Sequence, residues 1–270
     1  MLLAGGLLLG SAVWLVRTSF EGVGGGWSLQ AWRDITTSGL AREAIATSLW
    51  LSVWVASLCT VAGTVLAWYV ANLARRGRTS AQALLNVAAN FGGASLAIAM
   101  ISTYGGVGFV RLLMADWFGW ELGLDLYGFS GLVVTYVYFV LPLYVLLILP
   151  AMTALRPEWW EAVQVAAGTR WDYWRHVGLP VLFPFALSGW VLTFAWSIGQ
   201  FSVPFALLGS QPRTQLITVR LGNYLFSATG GTNRFQRADA LAVLLIAVTG
   251  LALLVYRVVA RRMLARLEGS

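Results

Sequence analysis

The 270-residue chain contains no lysine; every one of its 18 basic residues is arginine. That removes the P-loop lysine, the Schiff-base lysine and the lysine general base together, so this chain has no P-loop route to ATP hydrolysis. A single cysteine, Cys59, lies inside an apolar run, which excludes an internal disulfide and a cysteine-based metal cluster. The single histidine, His176, has no Ser/Asp or metal-ligand constellation around it, so an intramembrane enzyme finds no catalytic or metal set here. Charge is scarce as well: 11% of residues are charged and 59% hydrophobic, against roughly 25% and 45–50% in a soluble domain. Such a chain belongs in a membrane. No Asp or Glu lies well within the first five apolar runs, and Asp239 stands only at the edge of the last. This counts against a proton- or ion-coupled carrier. A secondary transporter or channel working without an ATPase partner is the alternative kept in view.

The hydropathy pattern predicts an all-α integral membrane protein with one domain over 1–270 and six spans, at about 2–20, 44–73, 80–103, 127–152, 181–208 and 239–259. The first has no positive n-region and is followed by five more apolar runs, which separates it from a cleaved signal peptide. Trp50, Trp54, Trp68 and Tyr69 flank the second as interfacial anchors. The third carries Asn86, Asn90, Gly92, Gly93 and Ser95, small and polar residues that point a helix into a bundle. Pro142 interrupts the fourth, which is edged by Tyr136, Tyr138 and Tyr144. The fifth holds Trp196, Ser197, Gln200 and Ser202 beside Pro204. Loops are expected at 21–43, 104–126, where Asp116, Glu121 and Asp125 lie, and 210–237, where Arg213 and a Gly230-Gly231 turn lie.

The most informative interval is 156–180, RPEWWEAVQVAAGTRWDYWRHVGLP. Pro157 suits a first helical turn, and Glu158 and Glu161 complement the positive end of its dipole. Gly168 is expected to end this helix. Thr169 and Asp172 then have the T-x-x-D spacing of a capping box, Arg175 and His176 suit a helix C-terminus, and Gly178 with Pro180 is expected to break the chain. The expectation is two short helices outside the bilayer.

Glu161, Ala162, Val177, Leu179 and Pro180 fall at the spacing of the EAA motif of ABC importer permeases, and the chain resembles that family from about Trp27 onward. Pro180 follows Glu161 by 19 residues, as in the motif. Two positions depart from it: Val163 replaces the second Ala, and Ala167 occupies the Gly slot, with Gly168 one position later. The stretch SIGQFSVPFALLG, Ser197 to Gly209, further resembles the permeases for polyamines, ferric iron, phosphonates, sulfate or thiamine more than those for sugars.

The resemblance implies a MetI-like permease fold of six transmembrane helices. Its cytoplasmic coupling helix would carry ATPase coupling through Glu161, Ala162, Val163, Ala167, Gly168, Leu179 and Pro180. It implies a second permease subunit, identical or related, two ATP-binding-cassette ATPase subunits that hold the ATP and Mg, and an extracytoplasmic substrate-binding protein. No cofactor is expected in this chain. A bulky residue at Glu161 or Ala162 is expected to uncouple transport while leaving the fold intact. The candidate translocation path is Asn90, Tyr136, Trp196, Ser197, Gln200 and Ser202, which offer hydrogen bonds without fixed charge. The cargo expected is a polyamine, a phosphonate or another small ion; an oxyanion is helped by Arg220 only if the 210–237 loop folds back toward the pathway.

Orientation follows from the arginines near span ends. Arg75, Arg76, Arg78, Arg156, Arg170, Arg175, Arg257, Arg261, Arg262 and Arg266 share one side, ten arginines against four acids, for a net +6; the other side has eight against seven, for +1. The richer side is assigned to the cytoplasm, with both termini, in a bacterial inner membrane. The overall +7 reads as this topology signal plus affinity for anionic lipid, and not as a nucleic-acid footprint.

Overall fold

The computed structural model describes residues 2–22, 25–119, 123, 125–153, 155–209, 214–226 and 233–268, with side chains from 10 to 258. Arg213, Glu121 and the expected turn at Gly230-Gly231 lie outside the described residues, as do the side chains of Arg261, Arg262 and Arg266. The described residues form α1 (Leu2–Ser19), α2 (Gln30–Thr37), α3 (Gly39–Ala71), α4 (Arg75–Asn90), α5 (Ala94–Tyr104), α6 (Phe109–Phe118) and α7 (Phe129–Thr153). They continue with α8 (Pro157–Val165), α9 (Arg170–Tyr173), a π turn (Trp174–Gly178), α10 (Leu179–Gly199), α11 (Ser202–Leu208), α12 (Ile217–Phe226) and α13 (Arg234–Glu268).

Among the described residues, five stretches are long and apolar enough to cross a membrane: Gly39–Ala71, Ala94–Phe118, Phe129–Thr153, Arg170–Gly199 and Arg234–Val258. The 33 residues of α3 span about 50 Å at 1.5 Å each, well beyond the ~30 Å hydrocarbon layer. The protein is therefore a multi-pass, all-helical membrane protein.

Two expected spans differ from the structure. The 80–103 interval is not one helix: α4 and α5 meet at a break over Phe91, Gly92 and Gly93, and the membrane-length apolar stretch runs over 94–118 instead. Gly93 has φ 70°, a conformation that favours glycine, and α4 buries none of its residues. The 181–208 interval is likewise divided, because α10 ends at Gly199 and α11 starts at Ser202.

The chain divides into two compact units. The first comprises 1–52, 93–133 and 198–251. Its core joins Ala31 and Ile35 of α2, Ala41 of α3, Ile217 of α12, and Ala240 and Leu241 of α13. So the 210–237 interval, expected as a loop, contains a helix, and that helix is built into the core. Ser48 Oγ accepts a hydrogen bond from the Ile217 backbone N–H at 2.9 Å, which satisfies one of the free donors at the start of α12. Gly222 leaves room for the Phe201 and Phe205 rings, which stack at 4.8 Å. Half-buried Arg237 donates to Asp34 through both Nε, at 2.9 Å, and Nη2, at 2.6 Å, tying α13 to α2.

The second unit comprises 53–92, 134–197 and 252–270. Its centre is Tyr144 of α7, fully buried between Gly63 of α3 and Gly189 of α10. A methyl group at either glycine would overlap the ring, so these small residues set how closely the helices approach. The Tyr144 hydroxyl lies 2.9 Å from Thr64 Oγ1, and Trp190 Nε1 donates to Ser57 Oγ at 3.1 Å. Ser188 Oγ lies 2.7 Å from the Tyr256 hydroxyl. Each of these polar groups thus finds a partner on a neighbouring helix, as a low-dielectric interior favours.

Candidate functional site: the segment 156–180 and the polar breaks

Pro157 stands in the first turn of α8, with Arg156 as the N-cap residue, where its missing N–H costs nothing. The helix ends one residue earlier than Gly168 suggests. Gly168 N–H reaches the Val163 carbonyl and Ala167 N–H the Gln164 carbonyl, both at 2.9 Å, the paired bonds of a Schellman motif. In that motif the left-handed position falls on Ala167, at φ 56°. The turn is therefore in the register of the motif's glycine slot, with alanine in it, and Gly168 is not the residue that terminates the helix.

The T-x-x-D capping box forms as expected. Thr169 Oγ1 accepts from Asp172 N–H at 3.3 Å, and Asp172 Oδ2 accepts from Thr169 N–H at 2.8 Å. The expected break at Gly178 and Pro180 does not form. Instead α9 continues through the π turn into α10, so both residues sit inside one run from Arg170 to Gly199. Pro180 has no N–H to give the helix ladder; the turn before it widens, and Leu179 N–H bonds back five residues to the Trp174 carbonyl. Gly178 is needed there because a side chain would enter the Trp174 ring. His176, inside the π turn, places Nδ1 3.0 Å from the Asp172 carbonyl oxygen, as a local cap does.

An aromatic ladder that the sequence pattern did not announce packs the segment together. Trp160 of α8 meets Tyr173 edge-on at 5.7 Å, Tyr173 meets Trp174 at 5.7 Å, and Trp174 meets Trp68 of α3 at 6.4 Å. Arg170 lies over Trp160 at 5.9 Å. The one available signal was composition, since aromatic residues recur at Trp159, Trp160, Trp171, Tyr173 and Trp174. With one face held this way, Glu161, Ala162 and Ala167 are exposed, Val163 and Gly168 are half-buried, and Val165 is 89% exposed. Leu179 and Pro180 are exposed at the start of α10. Glu161 makes no ion pair among the described residues.

Of the six path candidates, four lie in the second unit. Asn90 is exposed at the end of α4, and its Nδ2 donates to the Asn86 carbonyl at 2.8 Å. Tyr136 is buried in the interior at 2% exposure. Trp196 is half-exposed, 6.4 Å from Phe139, and lines an apolar cavity of about 160 Å³ with Tyr144, Leu147 and Leu192. Ser197 is buried, and its Oγ has no hydrogen-bond partner among the described residues. Gln200 and Ser202 lie in the first unit, Gln200 in the break between α10 and α11 and Ser202 exposed at the start of α11. Sequence reasoning did not foresee the polar cavity of about 250 Å³ in the first unit, where Arg220 and Arg237 meet Asp34, Thr37, Ser38 and Tyr224. Arg220 Nε donates to the Tyr224 hydroxyl at 3.2 Å, and its guanidinium lies 5.5 Å from that ring centre.

No family model matches the chain. Among curated proteins it is 27% identical to the sulfate transport system permease protein CysT of Salmonella typhimurium, over 221 residues that cover 80% of this chain and 78% of that one. It is 26% identical to the putative ferric transport system permease protein FbpB 1 of Haemophilus influenzae, over 75% of this chain and 32% of that longer protein. Among solved structures it matches a chain of the crystal structure of a bacterial alginate ABC transporter in complex with alginate pentasaccharide-bound periplasmic protein. The TM-score is 0.75 at 16% identity, over 97% of this chain and 94% of that one. The shared fold, the relatives and the spacing from Glu161 to Pro180 agree in one respect: each is a likeness to the permease subunits of ABC transporters.

Proposed function

We propose that the chain works as one of two permease subunits in a bacterial inner-membrane importer of a small oxyanion of the sulfate class. The observation that carries the coupling part is α8: packed on one face by aromatic rings, it leaves Glu161, Ala162 and Val165 uncovered on the other. A separate ATPase subunit docks there, and ATP and Mg belong to two such subunits. A substrate-binding protein delivers cargo from the opposite side. α1 serves as the sixth span, both termini are cytoplasmic, and the 156–180 segment is the cytoplasmic coupling element. ATPase closure then drives the spans between inward-open and outward-open states, by differential binding of the partners to each state.

The cargo class rests on three observations. Curated relatives that match over about four fifths of both chains are named for sulfate. No carboxylate stands among the path candidates, which weighs against a polyamine or metal cation. The third is a polar cavity where Arg220 and Arg237 stand with three hydroxyl side chains; Asp34 already pairs with Arg237 there, which leaves Arg220, bonded to the Tyr224 hydroxyl, as the cation without a carboxylate partner among the described residues. Guanidinium groups with hydroxyl donors are the usual chemistry for holding an oxyanion. Gln200 and Ser202 stand at the break between α10 and α11, where unwound backbone offers a path hydrogen bonds that a continuous helix does not.

The test is a gentle-detergent pull-down from the native membrane with mass spectrometry, followed by reconstitution of whatever complex is recovered and uptake of radiolabelled sulfate. Recovery of a P-loop ATPase, with ATP-dependent sulfate uptake, is the expected result. A chain that purifies alone and still moves solute assigns it to the secondary transporters. A recovered complex that takes up a cation and not sulfate keeps the importer and removes the oxyanion.

A further inference from the structure

The second unit holds a groove of about 490 Å³ on the inner side of the coupling segment. It is walled by the end of α3 with Trp68, by Arg78 of α4, by the end of α7 with Arg156 just beyond it, and by Trp160, Arg170 and Trp174 of the coupling segment. Three arginines line it, and no carboxylate does so among the described residues. None of the three makes an ion pair among those residues. Arg170 is held only over the Trp160 ring, Arg78 is half-buried, and Arg156 is exposed. Converging cations without counter-charge repel one another and destabilise the fold unless an anion enters. The N-terminus of α9 is closed by its own capping box, whereas α8, whose N-cap Arg156 makes no side-chain cap bond, opens its positive end onto the same groove.

The position of the groove indicates which anion. It lies where two membrane-length apolar helices end, α3 at Ala71 and α7 at Thr153. Trp68 and Tyr69, 45% and 60% exposed, mark the aromatic belt on α3. Headgroup phosphates occupy that level of a bilayer. We propose that this groove binds the phosphate of an anionic phospholipid: Arg78, Arg156 and Arg170 hold the headgroup, the Trp68 and Trp174 rings face its glycerol, and the acyl chains run along the exposed apolar surface of α3. A lipid held there braces the coupling segment against the ends of two spans. The proposal depends on the importer reading only in placing 156–180 at a membrane surface, and the ATPase pull-down tests that reading separately.

The experiment uses the full chain in mild detergent, washed free of loosely held lipid, with phosphatidylglycerol, phosphatidylcholine and inorganic phosphate as probes. Binding is read by native mass spectrometry and by the rise in melting temperature. The expected result is that phosphatidylglycerol is retained and stabilises, while phosphatidylcholine and millimolar phosphate do neither. The triple variant Arg78→Gln, Arg156→Gln, Arg170→Gln loses affinity for phosphatidylglycerol by about a hundredfold, the effect of removing three arginines at a headgroup. The double variant Arg33→Gln, Arg42→Gln, in the first unit, keeps it. If the triple variant does not fold, the comparison of probes on the native chain decides. Equal retention of phosphatidylcholine, or unchanged retention of phosphatidylglycerol by the triple variant, overturns the proposal. Stabilisation by inorganic phosphate that matches phosphatidylglycerol reassigns the groove to a free oxyanion, and release of the lipid by added ATPase subunit reassigns it to an acidic side chain of that partner.

Discussion

Ala167 stands at φ 56°, where an L-residue with a Cβ pays about 1–2 kcal/mol and glycine does not. The Schellman bonds of Val163 and Gln164 require that conformation of whichever residue follows the helix cap, so the strain is set by the motif and not by the side chain. Replacing Ala167 by Gly removes the strain but adds about 0.4–1 kcal/mol of chain entropy to the unfolded state. The first effect is the larger. Ala167→Gly is therefore expected to stabilise the chain by about 0.5–1 kcal/mol, the difference between those two effects, read as a higher melting temperature in detergent. A lowered melting temperature would place the left-handed residue elsewhere. At this scale the sequence was legible in part. Pro157 and the Thr169–Asp172 box sit where their residue types predict, because both act within four residues of themselves. Gly168 misled because it lies beside the turn whose backbone the neighbouring alanine supplies.

Helix continuity was less legible than helix existence. The break at Gly92-Gly93 and the α12 helix both had local signals, a glycine pair and the apolar spacing of Ile217, Leu221 and Leu225, but those signals compete with a hydropathy window that averages over them. Pro180 pointed to a boundary, and the π turn before it absorbed the missing donor instead. The consequence is mechanical: α8 is separated from α7 by 154–156, while α9 runs without interruption into α10. A push on α8 reaches the spans through the ladder from Trp160 to Tyr173 and Trp174, and hence along α10. Ala162 is exposed and contributes nothing to that ladder. Ala162→Trp is accordingly expected to leave the melting temperature unchanged and to lower ATP-driven uptake by about tenfold or more, a loss of ~1.4 kcal/mol or more in docking. Unchanged uptake at normal expression would remove α8 from the coupling interface.

The whole molecule shows a correspondence that no single helix carries. The ten arginines and four acids assigned to one side of the membrane all fall within the residue ranges of the second unit, and the remaining eight and seven within the first. Charge counting along the sequence and the packing of the chain thus sort its residues into the same two sets. The sequence reached this because arginines near span ends act one by one. A path is less legible in the sequence than a charge count, because Asn90, Tyr136, Trp196 and Ser197 take their meaning from neighbours on other helices. The sidedness that the arginine count assigns is measurable with the single buried Cys59 replaced by Ala as background. Val165, 89% exposed in the second unit, and Val107, 86% exposed in the first, are the reporters. With Val107→Cys, an impermeant thiol reagent is expected to label the chain in intact spheroplasts. With Val165→Cys, labelling is expected only after the membrane is opened. Labelling of both from outside would place the coupling segment on the wrong face for an ATPase, and the reverse pattern would invert the whole topology, whatever the arginine count says.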